Sequence, residues 1–159
     1  MITIETSTDY GLIADLLSRS PALVWPPSAS RLREMSMATF LLARYDGVPS
    51  GVACIQKMDF WHSICKYLFV VEEYRRMGIA GKLLSESVSH AEEVHHTPVV
   101  IATTNVDNIP VHMLNRRHGF RIAGRFKSPM SENFLLVWLR SGLSPPSLEM
   151  EPEEKQLEV

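Results

Sequence analysis

Two cysteines, Cys54 and Cys65, are too few in 159 residues for a disulfide framework, so a core rather than covalent staples has to hold the fold. No apolar run approaches the roughly 20 residues of a membrane-spanning helix, so no membrane partner is expected. Met1 to Glu5 also lacks the basic stretch and apolar block of a secretory leader, and the chain reads as cytoplasmic. Charge of one sign is missing too: the net value of −2 gives no clustered basic footprint for nucleic acid. There is no internal repeat. What the chain does have is 45% hydrophobic residues at a mean hydropathy of −0.01, the profile of one globular domain.

The composition changes at the end. Residues 141–159 carry Pro145, Pro146 and five glutamates (Glu149, Glu151, Glu153, Glu154, Glu158) against Lys155 alone, with too little apolar surface to offset chain entropy. This acidic, proline-containing stretch reads as a disordered tail, and residues 1–140 as the single folded domain. Without the tail's −4 the body stands near +2, which suits a phosphate-bearing small molecule better than a polyanion.

Hydrophobic periodicity orders the elements. Met1 to Glu5 alternates as a strand, and Tyr10 to Arg19 carries Leu12, Ile13, Leu16 and Leu17 at helical spacing behind Thr8 or Asp9 as N-cap. Pro21, Pro26 and Pro27 keep the next segment out of regular helix, and a serine-capped short helix is expected over Ser30 to Met37. Thr39 to Tyr45 and Gly51 to Lys57 flank Asp46-Gly47 as a hairpin. Ser63 to Val71 is β-rich, and Ile79, Leu83, Leu84, Val88 and Ala91 stripe a helix running to Val94. Pro98 to Thr103 reads as a strand covered on both faces, Asn108 to Arg117 as a helix ending at Gly119, and Arg121 to Phe126 with Asn133 to Leu139 as closing strands. The order β-α-α-β-β-β-α-β-α-β-β predicts an α/β sandwich around a mixed sheet.

The segment with chemistry in it runs from Val70 through Glu73, Tyr74, Arg75, Arg76, Met77 and Gly78 into Ile79, Ala80, Gly81 and Lys82. A strand passes through a cationic turn into a helix whose first N–H groups lack partners and whose dipole is positive there, a place for phosphate. Small residues at Gly78, Ala80 and Gly81 let backbone approach a ligand, and Arg75 and Arg76 supply charge-assisted donors. The competing reading is an ordinary turn with solvated arginines.

Here the sequence resembles the GNAT family of acetyl-coenzyme A-dependent N-acyltransferases. Arg75, Gly78 and Ala80 match its Arg/Gln-x-x-Gly-x-Gly/Ala motif, preceded by Val70 and by the acidic-aromatic pair Glu73 and Tyr74. Downstream, Asn108 opens a helix that ends in Gly119-Phe120, a second family element. The resemblance implies a mixed, mostly antiparallel sheet of about 6–7 strands flanked by about 4 helices. It implies acetyl-CoA as acyl donor, no metal, and a primary amine of a small molecule or peptide as acceptor. It further implies that main-chain groups of Leu68, Phe69 and Val70 pair with the pantetheine arm. Arg76, Met77, Gly78, Ile79, Ala80 and Gly81 would surround the pyrophosphate, with Asn108 touching the cofactor. A homodimer is left open.

The chain departs from the family in its acid and base. Where members often carry a tyrosine as general acid, seven residues after the helix-opening asparagine, this chain has Asn115, which hydrogen-bonds but does not give up a proton. Positions that often hold a base read Ile64, Lys66 and Thr103. An acceptor ammonium with a pKa near 10.4 costs roughly 4–5 kcal/mol to deprotonate at pH 7, and water leading to His62, on the strand face of Ile64 and Lys66, is the leading route. His112 and Glu72 are weaker candidates. Trp25 and Lys66 are the candidate acceptor contacts: Trp25-Pro26-Pro27 lies where the family covers its acceptor site, and Lys66 would favour an acidic group on the substrate.

Plainer readings stand beside these. His62 fits a loop histidine, His112 and His118 a solvated helix face, and His95-His96 a helix C-terminus favoured by the dipole. Cys54 and Cys65 fit buried strand thiols, and Met35, Met37 and Met58 fit packing. The rival to an enzyme is a non-catalytic acyl-CoA-binding sensor or interaction domain. An enzyme modifying nucleic-acid bases is disfavoured by the charge.

Overall fold

The computed structural model describes residues 1–142; the expected acidic tail lies, from residue 143 on, outside the described residues. Seven strands form one sheet in the order β1-β2-β3-β4-β5-β7-β6. They are β1 (Ile2–Thr6), β2 (Ala38–Tyr45), β3 (Val48–Lys57), β4 (His62–Val70), β5 (Val99–Asn105), β6 (Arg121–Lys127) and β7 (Phe134–Ser141). All neighbours are antiparallel except β4 and β5. The helices are α1 (Tyr10–Ser18), α2 (Ala29–Glu34), α3 (Ile79–Glu93) and α4 (Ile109–Arg117). The mixed, mostly antiparallel sheet with four helices is the expected fold.

Local chemistry sets the boundaries. Asp9 caps α1 by accepting from the Leu12 N–H, and Ser28 caps α2 by accepting from the Arg31 N–H. Asp46 and Gly47 both take positive φ, the backbone of a two-residue hairpin turn. Gly119, at φ 82°, ends α4. Gly51 has a different reason: a Cβ there would stand 2.9 Å from the Phe69 carbonyl oxygen and 3.2 Å from Leu83, so only glycine lets α3 lie this close over β3.

Two compartments share the core. On one sheet face Ile13, Leu16 and Leu17 of α1 and Leu32 of α2 pack on Phe40, Leu42, Val52, Cys54 and Phe69. On the other, the α3 stripe packs on Ala53, Ile55, Cys65, Val70, Val100 and Trp138. Trp138 is fully buried and donates its indole N–H to Thr104 Oγ1 at 2.8 Å.

Several expectations need correction. The second helix ends at Glu34 rather than Met37, which sits at φ 58° beyond it. Strand β5 is not covered on both faces: Val100 and Ala102 are buried against α3, but Ile101 is half-buried and Thr103 exposed, because α1 and α2 cover only β2, β3 and the end of β4. Met37 and Met58 are exposed instead of packed. His112 is buried at 7% exposure, not solvated, with its Nε2–H donating to the Asn105 carbonyl at 2.8 Å. His118 is half-buried and its Nδ1–H donates to the Leu114 carbonyl.

His95 is buried as well, and burial, with His90 and Lys57 nearby, pushes its imidazole below the ordinary value, the opposite of a dipole-held cation. Its bonds are directional. Thr97 gives its hydroxyl hydrogen to the Ala91 carbonyl, so Ser63 donates to Thr97 at 2.8 Å and accepts from His95 Nδ1–H at 2.9 Å.

Candidate functional site

Between β4 and β5 the sheet opens into a fork. The two strands pair in parallel only over His62↔Val99, Ser63↔Val100 and Ile64↔Ile101. Past that point β4 stays with β3 and β5 with β7, so the facing main-chain edges of β4 and β5 are left without each other. A β-bulge bends β4 there: Cys54 pairs with Lys66 and Val52 with Phe69, which sets Tyr67 and Leu68 against Ala53 alone. Tyr67 adopts φ 54°, an uncommon conformation for a tyrosine.

The bulge changes which side chains point where. Ser63 and Cys65 face α3, so His62, Ile64 and Lys66 occupy the opposite face. Beyond the extra residue the alternation is reset. Tyr67 and Phe69 pack with the α1 and α2 cluster, while Leu68 and Val70 pack on the α3 side. Lys66 and Tyr67 therefore stand consecutively on one face. The side chains of Leu68, Phe69 and Val70 are taken up by packing, and what these residues offer the fork is main chain.

At its mouth the fork meets the turn into α3. Glu72–Tyr74 form one turn of 3₁₀ helix, and Arg76 (φ 65°) and Gly78 (φ 84°) then reverse the chain. Gly78 is the N-cap of α3 and supplies no side-chain cap, so the N–H groups of Ile79, Ala80 and Gly81 meet no capping side chain. A Cβ on Gly78 would meet nothing within 4 Å, which leaves the space over the helix end open. Ile79 is 1% exposed and contributes its main chain only. Arg76 and Met77 are exposed beside the turn. Arg75 donates from Nε to the Val70 carbonyl at 3.2 Å, which braces the turn against β4.

The β5 side differs in kind. Helix α4 lies on the α3 face over Trp138, with the His112 ring 5.4 Å from the indole. Asn108 is its N-cap and makes no side-chain capping bond. Asn115, two turns on, is 2% exposed and its Nδ2 has no hydrogen-bond partner. A buried donor left this way costs about 1–3 kcal/mol and asks for a reason.

His62 opens β4, and its ring lies against Trp61 with centroids 3.9 Å apart. Its Nδ1–H donates to Asp59 Oδ1 at 2.9 Å, and the same oxygen accepts from the Trp61 and His62 N–H groups. Burial works against the Asp59 carboxylate, but those N–H donors and the imidazole outweigh it and hold its pKa below the usual value. Asp59 thus fixes the tautomer that keeps Nε2 as an acceptor. A strand rise of about 3.3 Å per residue puts His62 about 7 Å from Ile64, the last paired residue of the fork.

Of the acceptor candidates, Lys66 donates to Gln56 Oε1 at 2.8 Å, and Gln56 in turn donates to the Ser36 carbonyl at 2.8 Å. Trp25 is 75% exposed in the loop before α2. Glu72 is exposed in the turn. Asp59, Tyr67 and Gly51 were not singled out from sequence; the spacing Asp59-x-x-His62 was the one available signal. Among the described residues no group of three or more His, Cys, Asp or Glu is placed to hold a metal ion. No described helix is long and apolar enough to cross a membrane.

The sequence profile described as the acetyltransferase (GNAT) family matches residues 11–120. No curated protein matches in sequence. Among solved structures, a GNAT family acetyltransferase from Elizabethkingia anophelis with acetyl-CoA bound is 19% identical, with TM-score 0.74 over 88% of this chain and 97% of that one. The ribosomal-protein-S18-alanine N-acetyltransferase from Escherichia coli is 16% identical, with TM-score 0.76 over 93% and 99%. An IAA acetyltransferase from Bacillus cereus is 16% identical, with TM-score 0.75 over 89% and 99%.

Proposed function

Because the chain belongs to the acetyltransferase (GNAT) family, we propose that it moves an acetyl group from acetyl-CoA to a primary amine of a small molecule or peptide by direct attack in one ternary complex. The observation that carries this reading is the fork itself, which leads along the bulged β4 into an uncapped α3 N-terminus with open space above Gly78. The residues present suit the donor: an unpaired strand edge for the amide-bearing arm, and helix N–H groups with Arg76 for the pyrophosphate. Asn108, with its side chain free of a cap, contributes from α4.

When bound, acetyl-CoA supplies an activated acyl carbon: the amine nitrogen bonds to it, the carbon–sulfur bond breaks, the sulfur leaves as thiolate and the amine loses a proton. Main-chain N–H on the fork edge of β4, just past Ile64, polarises the carbonyl. His62 Nε2, oriented by Asp59, takes the proton through water. Asn115 Nδ2 steadies the departing sulfur, which gives its orphaned donor a partner. Proximity supplies much of the remaining rate enhancement.

Thiol release from acetyl-CoA across a panel of amines tests this. Amine-dependent thiol with matching N-acetyl product is expected. Binding of acetyl-CoA with no turnover on any amine would instead mark a non-catalytic acyl-CoA-binding domain.

A further inference from the structure

Resting on the acetyltransferase reading, we propose that the acceptor amine carries a carboxylate on the same molecule, held on the α2-facing side of the fork by Lys66, Tyr67 and Arg31. The bulge in β4 is what assembles this group. Without it, consecutive residues would point to opposite faces; with it, the side chains of Lys66 and Tyr67 leave the same face of β4 just past the last β4–β5 pair. Lys66 spends one donor on Gln56 Oε1 and keeps two N–H donors. The Gln56 link to the Ser36 carbonyl ties this part of the sheet to the segment after α2.

Arg31 comes from above, in the first turn of α2, where the Ser28 cap on its N–H fixes the backbone. Its charge acts on the Tyr67 hydroxyl: burial and Cys54 push that phenol up, and Arg31 pulls the other way. The phenol stays a neutral donor, with Arg31 the cation that acts on it. Neither cation is held in an ion pair. Among the described residues neither Arg31 nor Lys66 forms an ion pair with a carboxylate, Glu34, three residues after Arg31 on α2, included, and Asp59 is committed to His62.

Two cations outside any ion pair and a neutral phenol match a carboxylate, to which arginine can bond through two parallel N–H groups. His62 lies on the same face of β4, on the other side of Ile64, so the proton acceptor and the carboxylate site bracket the place where the amine attacks. Trp25, exposed three residues before the α2 cap, gives an apolar surface to the rest of such an acceptor.

Product binding tests the inference without the natural acceptor in hand. Thermal unfolding of the full chain with saturating coenzyme A is followed while N-acetylphenylalanine, N-acetylphenylalaninamide or N-acetylaspartic acid α-amide is titrated in. The first carries an α-carboxylate, the second none and the third a side-chain carboxylate. A carboxylate-bearing product should bind about tenfold or more tighter than the neutral amide, and whichever of the two wins identifies the carboxylate's position. Lys66→Met and Arg31→Met should each erase most of that difference and leave stabilisation by coenzyme A unchanged, while Arg31→Lys should keep part of it. Equal affinity for all three products, or variants that weaken the neutral amide just as much, would overturn the carboxylate site while the transferase reading stands. No stabilisation by coenzyme A at all would overturn both.

Discussion

Along β4 the side chains of Phe69 and Val70 are sunk into opposite faces of the core, and the strand meets the fork with main chain. Across the fork, behind β5, the side chains of His112 and Asn115 are themselves the polar groups turned inward. On the proposed reading the first arm would recognise the cofactor through backbone geometry, which many sequences can build once the turn is kept. The second depends on which side chain stands at each position. On that contrast the β4 turn matches the family motif, while Asn115 stands where the resemblance would place a tyrosine.

The contrast breaks most sharply at Gly78. Gly78→Glu places a β-carbon in a left-handed conformation that costs about 1–2 kcal/mol and an anion over the helix N-terminus proposed for the pyrophosphate. Stabilisation by acetyl-CoA should disappear in thermal unfolding while the fold persists, because the side chain enters open space. Retained affinity would show that recognition does not lie in the turn.

The next effect belongs to a side chain on β4 itself. His62→Ala should lower kcat/KM by about 100-fold near neutral pH and remove the loss of rate on acidification that an imidazole base produces, with acetyl-CoA affinity unchanged. Asp59→Asn should cost less, since it disturbs orientation and leaves the base in place. An unaltered pH–rate profile in His62→Ala would take that residue out of the mechanism.

Asn115 sharpens the comparison by separating stability from activity. Asn115→Leu replaces an unsatisfied buried amide with an apolar group of similar size, so the fold should gain about 1 kcal/mol while turnover falls several-fold. A variant less stable than the parent would mean that the amide has a structural partner.

The prediction furthest from the proposed chemistry concerns the two thiols, one in each compartment. Burial, with Cys65 adding and Lys66 opposing, pushes Cys54 up to about 12 from 9.0, and burial pushes Cys65 to about 11. Both folded values lie above the unfolded one. The protonated form is therefore favoured by folding, and stability should be flat below pH 9 and fall as pH rises from there toward 11. Equilibrium denaturation between pH 8 and 11 measures this, and modification by a thiol reagent at pH 8 should be slow until the chain unfolds.

Much of this was legible in the sequence, for identifiable reasons. The α3 stripe, the Asp46-Gly47 turn, the Asp9 cap and the small residues after Arg76 are local signals, decided by residues adjacent or one helical turn apart. The bulge was not legible, because it is a mismatch in count between β3 and β4, and the run from Ser63 to Val71 looks the same with or without it. His95 and His112 were misjudged for a similar reason. Each is bonded to a partner supplied by a distant or reversed segment, Ser63 for one and the Asn105 carbonyl for the other. Periodicity reports which face a residue occupies on its own helix, and says nothing of the polar group waiting opposite.

The most direct test of the account is thermal unfolding of the wild-type chain with acetyl-CoA, with dephospho-coenzyme A and adenosine as controls. At about 100 times its Kd a ligand adds roughly 2.7 kcal/mol of stability. Acetyl-CoA should raise the midpoint clearly, dephospho-coenzyme A should retain much of the effect because the pyrophosphate remains, and adenosine should do nothing. No shift at millimolar acetyl-CoA would contradict the central claim that β4 and the turn into α3 form a cofactor site.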